Sequence, residues 1–207
     1  MIIQDDIPFR LIITAELLAI GVVRVYFGAP RGKEPAGAAP AQRSESGWLT
    51  GALGAIVLLH FGAILAYLTD PGLLRWSAFE VGGPIRWIAM MVSCLGVAGE
   101  IWAAVSLGAS YSPMLRIAEA RVVVTAGPYR WIRHPLYAFW LPVAVGWGVA
   151  ACNWFIIVTG TVLVFVLAVI RVPREEAMML QGLGESYRQY MTRTGRFIPR
   201  VWTVRPR

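Results

Sequence analysis

The chain has 207 residues, of which 57% are hydrophobic and only 15% charged; mean hydropathy is +0.59 and the formal net charge +7. So apolar a composition excludes an ordinary soluble domain, and basic residues flanking apolar runs point to anionic lipid rather than nucleic acid. The two cysteines, Cys94 and Cys152, lie inside predicted membrane helices with no second ligand at metal spacing, and suggest neither a disulfide framework nor a zinc site.

About 20 apolar residues carry a helix across a bilayer. Residues 11–29 form the first such run, interrupted by Glu16 and Arg24. Asp5 and Asp6 precede it where a secretory signal would be basic, so no cleaved signal peptide is expected. Residues 28–47 are rich in Pro, Ala, Gly and Ser and predict a flexible linker. The second run, 48–69, contains His60, and the third, 84–108, contains Glu100. Residues 136–170 suffice for two crossings, with a tight break at "AACNWF". The sequence thus predicts an all-α integral membrane protein, one transmembrane domain over 1–207. It has five transmembrane helices, the fourth and fifth forming a hairpin. With the C-terminus inside, sixteen of the 19 basic residues face the cytoplasm and only Arg10, Arg75 and Arg86 face outward, as the positive-inside rule requires. Arginine outnumbers lysine 18 to 1, which hints at a GC-rich bacterial genome and hence a bacterial inner membrane.

The tail after residue 170 carries an apolar stripe of Ala177, Met178, Leu180, Leu183, Tyr187 and Tyr190. It predicts a cytoplasmic amphipathic helix folding back along the membrane face. Pro173 is expected to kink the fifth helix or end it near Arg171.

Polar residues gather in two places. "GPYRWIRHPLY" (127–137) brings Arg130, Arg133 and His134 to the start of helix 4, where Pro135 suits the first turn. "RVPREE" (171–176) puts Arg171 and Glu175 on one helix face at the end of helix 5. Either alone reads equally as an interfacial belt of aromatics and snorkelling arginines. A helix 4–5 hairpin, however, brings both to one place. Glu16, His60 and Glu100 lie inside apolar spans, where ionisable groups are costly; an acceptor tunnel and interhelical packing both account for Glu100. Arg24 and Glu16 are eight positions apart and are expected to pair only loosely.

"LGASYSP" (107–113), "VVVTAGPYR", "GPYRWIRHPLY", "RVPREE" and "LGESYRQYMTRTGRFIP", in this order and spacing, resemble the isoprenylcysteine carboxyl methyltransferase family and the related phospholipid methyltransferases. The resemblance covers 107–199. It implies an integral membrane methyltransferase that uses S-adenosylmethionine, releases S-adenosylhomocysteine and methylates a lipophilic carboxylate, amine or thiol. The implied cofactor walls are Arg121, Val122, Val123, Val124, Tyr129, His134, Pro135, Leu136, Tyr137 and Glu175. Glu175 faces the cofactor and Arg171 the acceptor substrate; both are implied catalytic. The family often has histidine where Arg121 stands, and its usual Phe-Gly is Leu183-Gly184 here. A carboxylate acceptor needs no general base, only a cation to orient it; an amine or thiol does, and Glu176 and His134 are the candidates. Two other functions fit the residues: a membrane reductase of the steroid-reductase type using NADPH, and a non-catalytic assembly subunit.

Overall fold

A computed structural model describes residues 6–28, 47–108 and 122–200. Five α-helices follow one another: α1 (Ile7–Gly28), α2 (Gly47–Thr69), α3 (Gly83–Leu107), α4 (Pro135–Ala150) and α5 (Trp154–Arg193). Among the described residues there is no strand, only two isolated bridges. Four helices are long and apolar enough to cross a membrane; α4 is apolar but has only 16 residues.

Each helix buries one stripe and shows the rest to lipid. On α1, Phe9, Ile13, Glu16 and Ile20 are buried, while Leu11, Leu18, Val22 and Val25 are exposed. On α3 the buried positions 86, 90, 93, 97, 100 and 104 alternate steps of four and three, the period of one helix face. Short, central α4 fills the space between α3 and α5; Val143, Ala144 and Trp147 have no exposed surface. Small residues let its backbone approach α3. A Cβ on Gly146 would lie 2.6 Å from the Ala89 carbonyl oxygen, backbone that cannot swing away.

The α4–α5 break falls at Ala151–Asn153, inside the expected "AACNWF". Cys152 therefore lies in the turn, at φ 51°, and not within a membrane helix as expected. Asn153 caps α5 by accepting from the Ile156 amide at 3.1 Å, and donates to the Leu74 carbonyl and the Ser77 hydroxyl. Nearby, buried Arg86 pairs with Asp6, donates to the Ala150 carbonyl at 2.8 Å and lies over the Phe9 ring. These contacts tie α1, α3 and the α4–α5 turn together at the end of the molecule remote from the polar motifs.

The tail departs from expectation. Pro173 does not end the helix: α5 runs 40 residues, and its one non-helical residue is Gly184 at φ 54°. Proline removes one hydrogen bond, whereas a positive φ redirects the chain, and glycine adopts it without a Cβ clash. At 1.5 Å per residue, about 20 residues use up the hydrocarbon thickness, so α5 leaves it near Pro173. Of the predicted stripe, Tyr187 and Tyr190 are buried, Met178, Leu180 and Leu183 half-buried, and Ala177 exposed. The linker, apart from its ends, and most of "LGASYSP" lie outside the described residues.

Candidate active site

The chain enters the site through an irregular stretch, Val122–Ala126, and a 3-10 turn, Gly127–Arg130. Pro128 and Tyr129 are buried, and Pro135 opens α4 with His134 as its N-cap residue. This segment is clamped by the chain beyond α5. Ile132 and Gly195 form a parallel bridge, with the Arg133 amide donating to the Gly195 carbonyl (2.9 Å) and the Gly195 amide to the Trp131 carbonyl (3.0 Å). The His134 amide donates to the Arg196 carbonyl at 3.0 Å, and the Tyr190 hydroxyl to the Tyr129 carbonyl at 2.7 Å.

Two adjacent carboxylates on α5 then take different surroundings. Glu176 is buried and held by cations: Arg133 Nε at 2.9 Å, His134 Nε2 at 3.3 Å and the Arg196 guanidinium. Arg133 also donates to the Met191 and Thr194 carbonyls, so it links α5, the tail and the "RHP" turn. Glu175 is more open, its side chain 20% exposed. It accepts from the Tyr137 hydroxyl at 2.8 Å and sits 3.5 Å from His134 Nδ1 and 3.6 Å from Arg171.

Burial alone would push the His134 pKa down, but hydrogen bonds to Glu175 and Glu176 outweigh it and hold the imidazole above its ordinary range. Burial would likewise raise Glu176, yet hydrogen bonds from His134, Arg196 and Arg133 hold it well below the usual carboxylate range. Glu176 is therefore a poor proton acceptor, and His134 is poised to stay cationic. Neither suits the role of general base that an amine or thiol acceptor would require.

The family model for isoprenylcysteine carboxyl methyltransferases matches residues 87–181. Protein-S-isoprenylcysteine O-methyltransferase A of Arabidopsis thaliana is 30% identical over 149 residues, covering 67% of this chain and 71% of that protein. The chain belongs to the isoprenylcysteine carboxyl methyltransferase family. The Tribolium castaneum protein-S-isoprenylcysteine O-methyltransferase is 28% identical over 120 residues, which span 56% of this chain and only 43% of the beetle protein. A solved eukaryotic intramembrane Ras methyltransferase, an isoprenylcysteine carboxyl methyltransferase, superposes on 97% of this chain and 70% of its own with a TM-score of 0.58. At 19% identity that likeness shows a shared fold.

Of the residues that the family resemblance singles out, His134, Tyr137, Arg171 and Glu175 lie together. Leu136 turns instead toward α1 and α3, beside Arg24 and Glu100. Tyr129 and Pro135 are packed inside, while Val122 is exposed and Val123 and Val124 half-buried. Arg121 lies outside the described residues. The hub of the site, Glu176 with Arg133 and Arg196, was singled out by no pairing in the sequence. Its signal was present in the second glutamate of "REE" and the arginine of "GRFIP", but those motifs are 20 residues apart and only the clamp joins them. The expected loose pairing of Arg24 with Glu16 is not formed. Arg24 bonds Glu100 at 2.9 Å, and Glu16 accepts from Ser93 and Trp147, because the two residues face different neighbours two turns apart.

Proposed function

We propose that the protein is an integral membrane methyltransferase that takes its methyl group from S-adenosylmethionine and delivers it to a lipophilic acceptor. The single observation that carries this reading is the split between the paired glutamates. Glu176 is saturated by three cationic partners, whereas Glu175 keeps exposed surface beside the α4 N-terminus. The donor set fits the cofactor: a carboxylate for its ammonium, backbone amides of the first turn of α4 for its carboxylate, and an apolar surround. His134, Tyr137 and Glu175 would hold it, with the backbone of 122–124 and the wall formed by Tyr129 and Pro135; Arg121 is assigned on family resemblance, and Leu136, which faces α1 and α3, is left out of the wall. When bound, S-adenosylmethionine supplies an electrophilic methyl on a sulfonium.

Arg171 is proposed to orient the acceptor. A guanidinium beside the site favours an anionic acceptor, and the names of the family relatives make an isoprenylated cysteine carboxylate the first candidate. The attacking oxygen is then already ionised, and the chain's task is to orient it and exclude water. Five crossings, with the site on the cytoplasmic face of a bacterial inner membrane, complete the reading; the distribution of arginines supports it. The reductase and assembly-subunit readings find no support in these family matches.

Calorimetric titration of the purified protein with S-adenosylhomocysteine tests the proposal. Saturable binding is expected, weakened at least tenfold by Glu175→Gln, the loss of one charge-assisted contact. No binding by wild type, or equal binding by the variant, overturns it.

A further inference from the structure

Helix α4 is short for an ordinary bilayer. Its 16 residues rise about 24 Å, against about 30 Å of hydrocarbon in a typical membrane. Both of its ends are nonetheless marked by groups that stay out of hydrocarbon. Before Pro135, Arg130 is exposed and lies over the exposed Trp131 ring, which in turn meets Trp102 of α3. Beyond Ala150, the turn is fastened to the segment between α2 and α3. Asn153 donates to the Leu74 carbonyl and the Ser77 hydroxyl, and the Phe79 amide donates to the Cys152 carbonyl at 2.9 Å. That segment exposes Arg75, Trp76 and Glu80, with Trp76 edge-on to Trp154. Tryptophans beside charged groups mark the boundary between hydrocarbon and headgroups. The α4–α5 turn therefore lies at that boundary and is not sunk beneath it.

The helices that flank α4 give the same length. On α3 the exposed rings of Trp87 and Trp102 are separated by about 22 Å of helix, with Ile88, Met91, Val92 and Leu95 exposed between them. On α5 the exposed apolar residues run from Trp154 through Val158, Val162 and Phe165 to Val169, again about 22 Å, and Arg171 follows. Helices α1 and α2 are longer, with about 28 Å of apolar length each. A long helix meets a thin bilayer by tilting, whereas a short one cannot be stretched to meet a thick one. The shortest spans therefore set the thickness. We propose that the outer face of α3 and α5 binds a bilayer whose hydrocarbon core is only about 22–24 Å thick, so that phospholipids with short acyl chains are its preferred partners. Longer lipids must compress beside this face or give way to shorter ones.

The exposed tryptophans report lipid contact directly. The full wild-type chain is reconstituted in mixtures of dioleoylphosphatidylcholine and a brominated phosphatidylcholine, whose bromines quench tryptophan fluorescence on contact. Brominated lipids with chains of fourteen, sixteen, eighteen, twenty and twenty-two carbons are compared. Quenching against mole fraction gives the affinity of each for the protein surface relative to the eighteen-carbon reference. The fourteen- or sixteen-carbon lipid is expected to bind best, and the twenty-two-carbon lipid about threefold more weakly than the best. An optimum at eighteen carbons or more, which matches an ordinary core, overturns the proposal. Equal affinity across the series overturns it as well, because a face with fixed boundaries at both ends must discriminate by length.

Discussion

Glu175 and Glu176 are neighbours in sequence, yet replacing each by glutamine is expected to damage different properties. Glu176 has a side chain 5% exposed and contacts Arg133, His134 and Arg196. Arg133 is almost as buried, at 9%, so neutralising Glu176 strands a cation. Breaking a buried pair by removing one partner costs about 3–5 kcal/mol. Glutamine keeps one acceptor oxygen, and Arg196 is half in solvent, so the lower figure of about 3 kcal/mol applies. At roughly 2–4 °C per kcal/mol for a chain of this size, Tm falls by about 6–12 °C. Glu175 has one short contact, the Tyr137 hydroxyl at 2.8 Å; His134 at 3.5 Å and Arg171 at 3.6 Å lie at the weak outer limit of hydrogen bonding and ion pairing. One such bond is worth about 1 kcal/mol, or about 2–4 °C. Intrinsic tryptophan fluorescence of the detergent-solubilised variants follows the melts, and calorimetry follows cofactor affinity. Glu176→Gln lowers Tm the more, and Glu175→Gln lowers S-adenosylhomocysteine affinity out of proportion to its small Tm change. A larger Tm loss for Glu175→Gln than for Glu176→Gln refutes the division between a structural and a ligand-facing carboxylate.

The same cluster sets a pH window. The folded pKa of His134 is raised, so its contribution is fully present below its ordinary 6.5 and is lost as pH rises through the raised value; that of Glu176 is lowered, so its contribution is present above its ordinary 4.5 and is lost as pH falls. Melts across pH should show Tm highest between these two values, with both flanks flattened in Glu176→Gln. Gly146→Val pushes a Cβ against the Ala89 carbonyl and the Ser93 side chain, and overpacking of this kind costs about 1–3 kcal/mol, read as a lower Tm in the same assay. Arg86→Ala leaves Asp6 buried without its cation and should cost about 3–5 kcal/mol while folded protein keeps its S-adenosylhomocysteine affinity, because Arg86 lies at the opposite end from the site.

Much of this molecule was legible from hydropathy. Helices α1, α2 and α3 begin and end within a few residues of the apolar runs, because burial in lipid leaves little choice of where a helix starts; α5 continues 23 residues past its run. The α4–α5 turn was legible for the same reason: a 35-residue apolar run is too long for one crossing. Of the two outcomes expected of Pro173, an end to the helix is not found, because a proline's cost is local and α5 resumes its hydrogen bonding beyond it. The pairing of Arg24 escaped because the helix period says which residues share a face on one helix but not which partner lies across on another. Arg133, Glu176 and Arg196 escaped as a group for a related reason. Their meeting depends on the parallel bridge between Ile132 and Gly195, a contact 63 positions apart that leaves no periodic trace.

That bridge also sets an order of events during synthesis. The turn at 127–134 leaves the ribosome long before its partners at 190–196. All five helices can be laid into the bilayer while the turn still lacks Tyr190, Gly195 and Arg196, its hydrogen-bond complement. Membrane insertion and completion of the site are therefore separate steps. A chain stalled or cut before residue 190 should insert normally, yet present the turn at 127–134 without its hydrogen-bond partners.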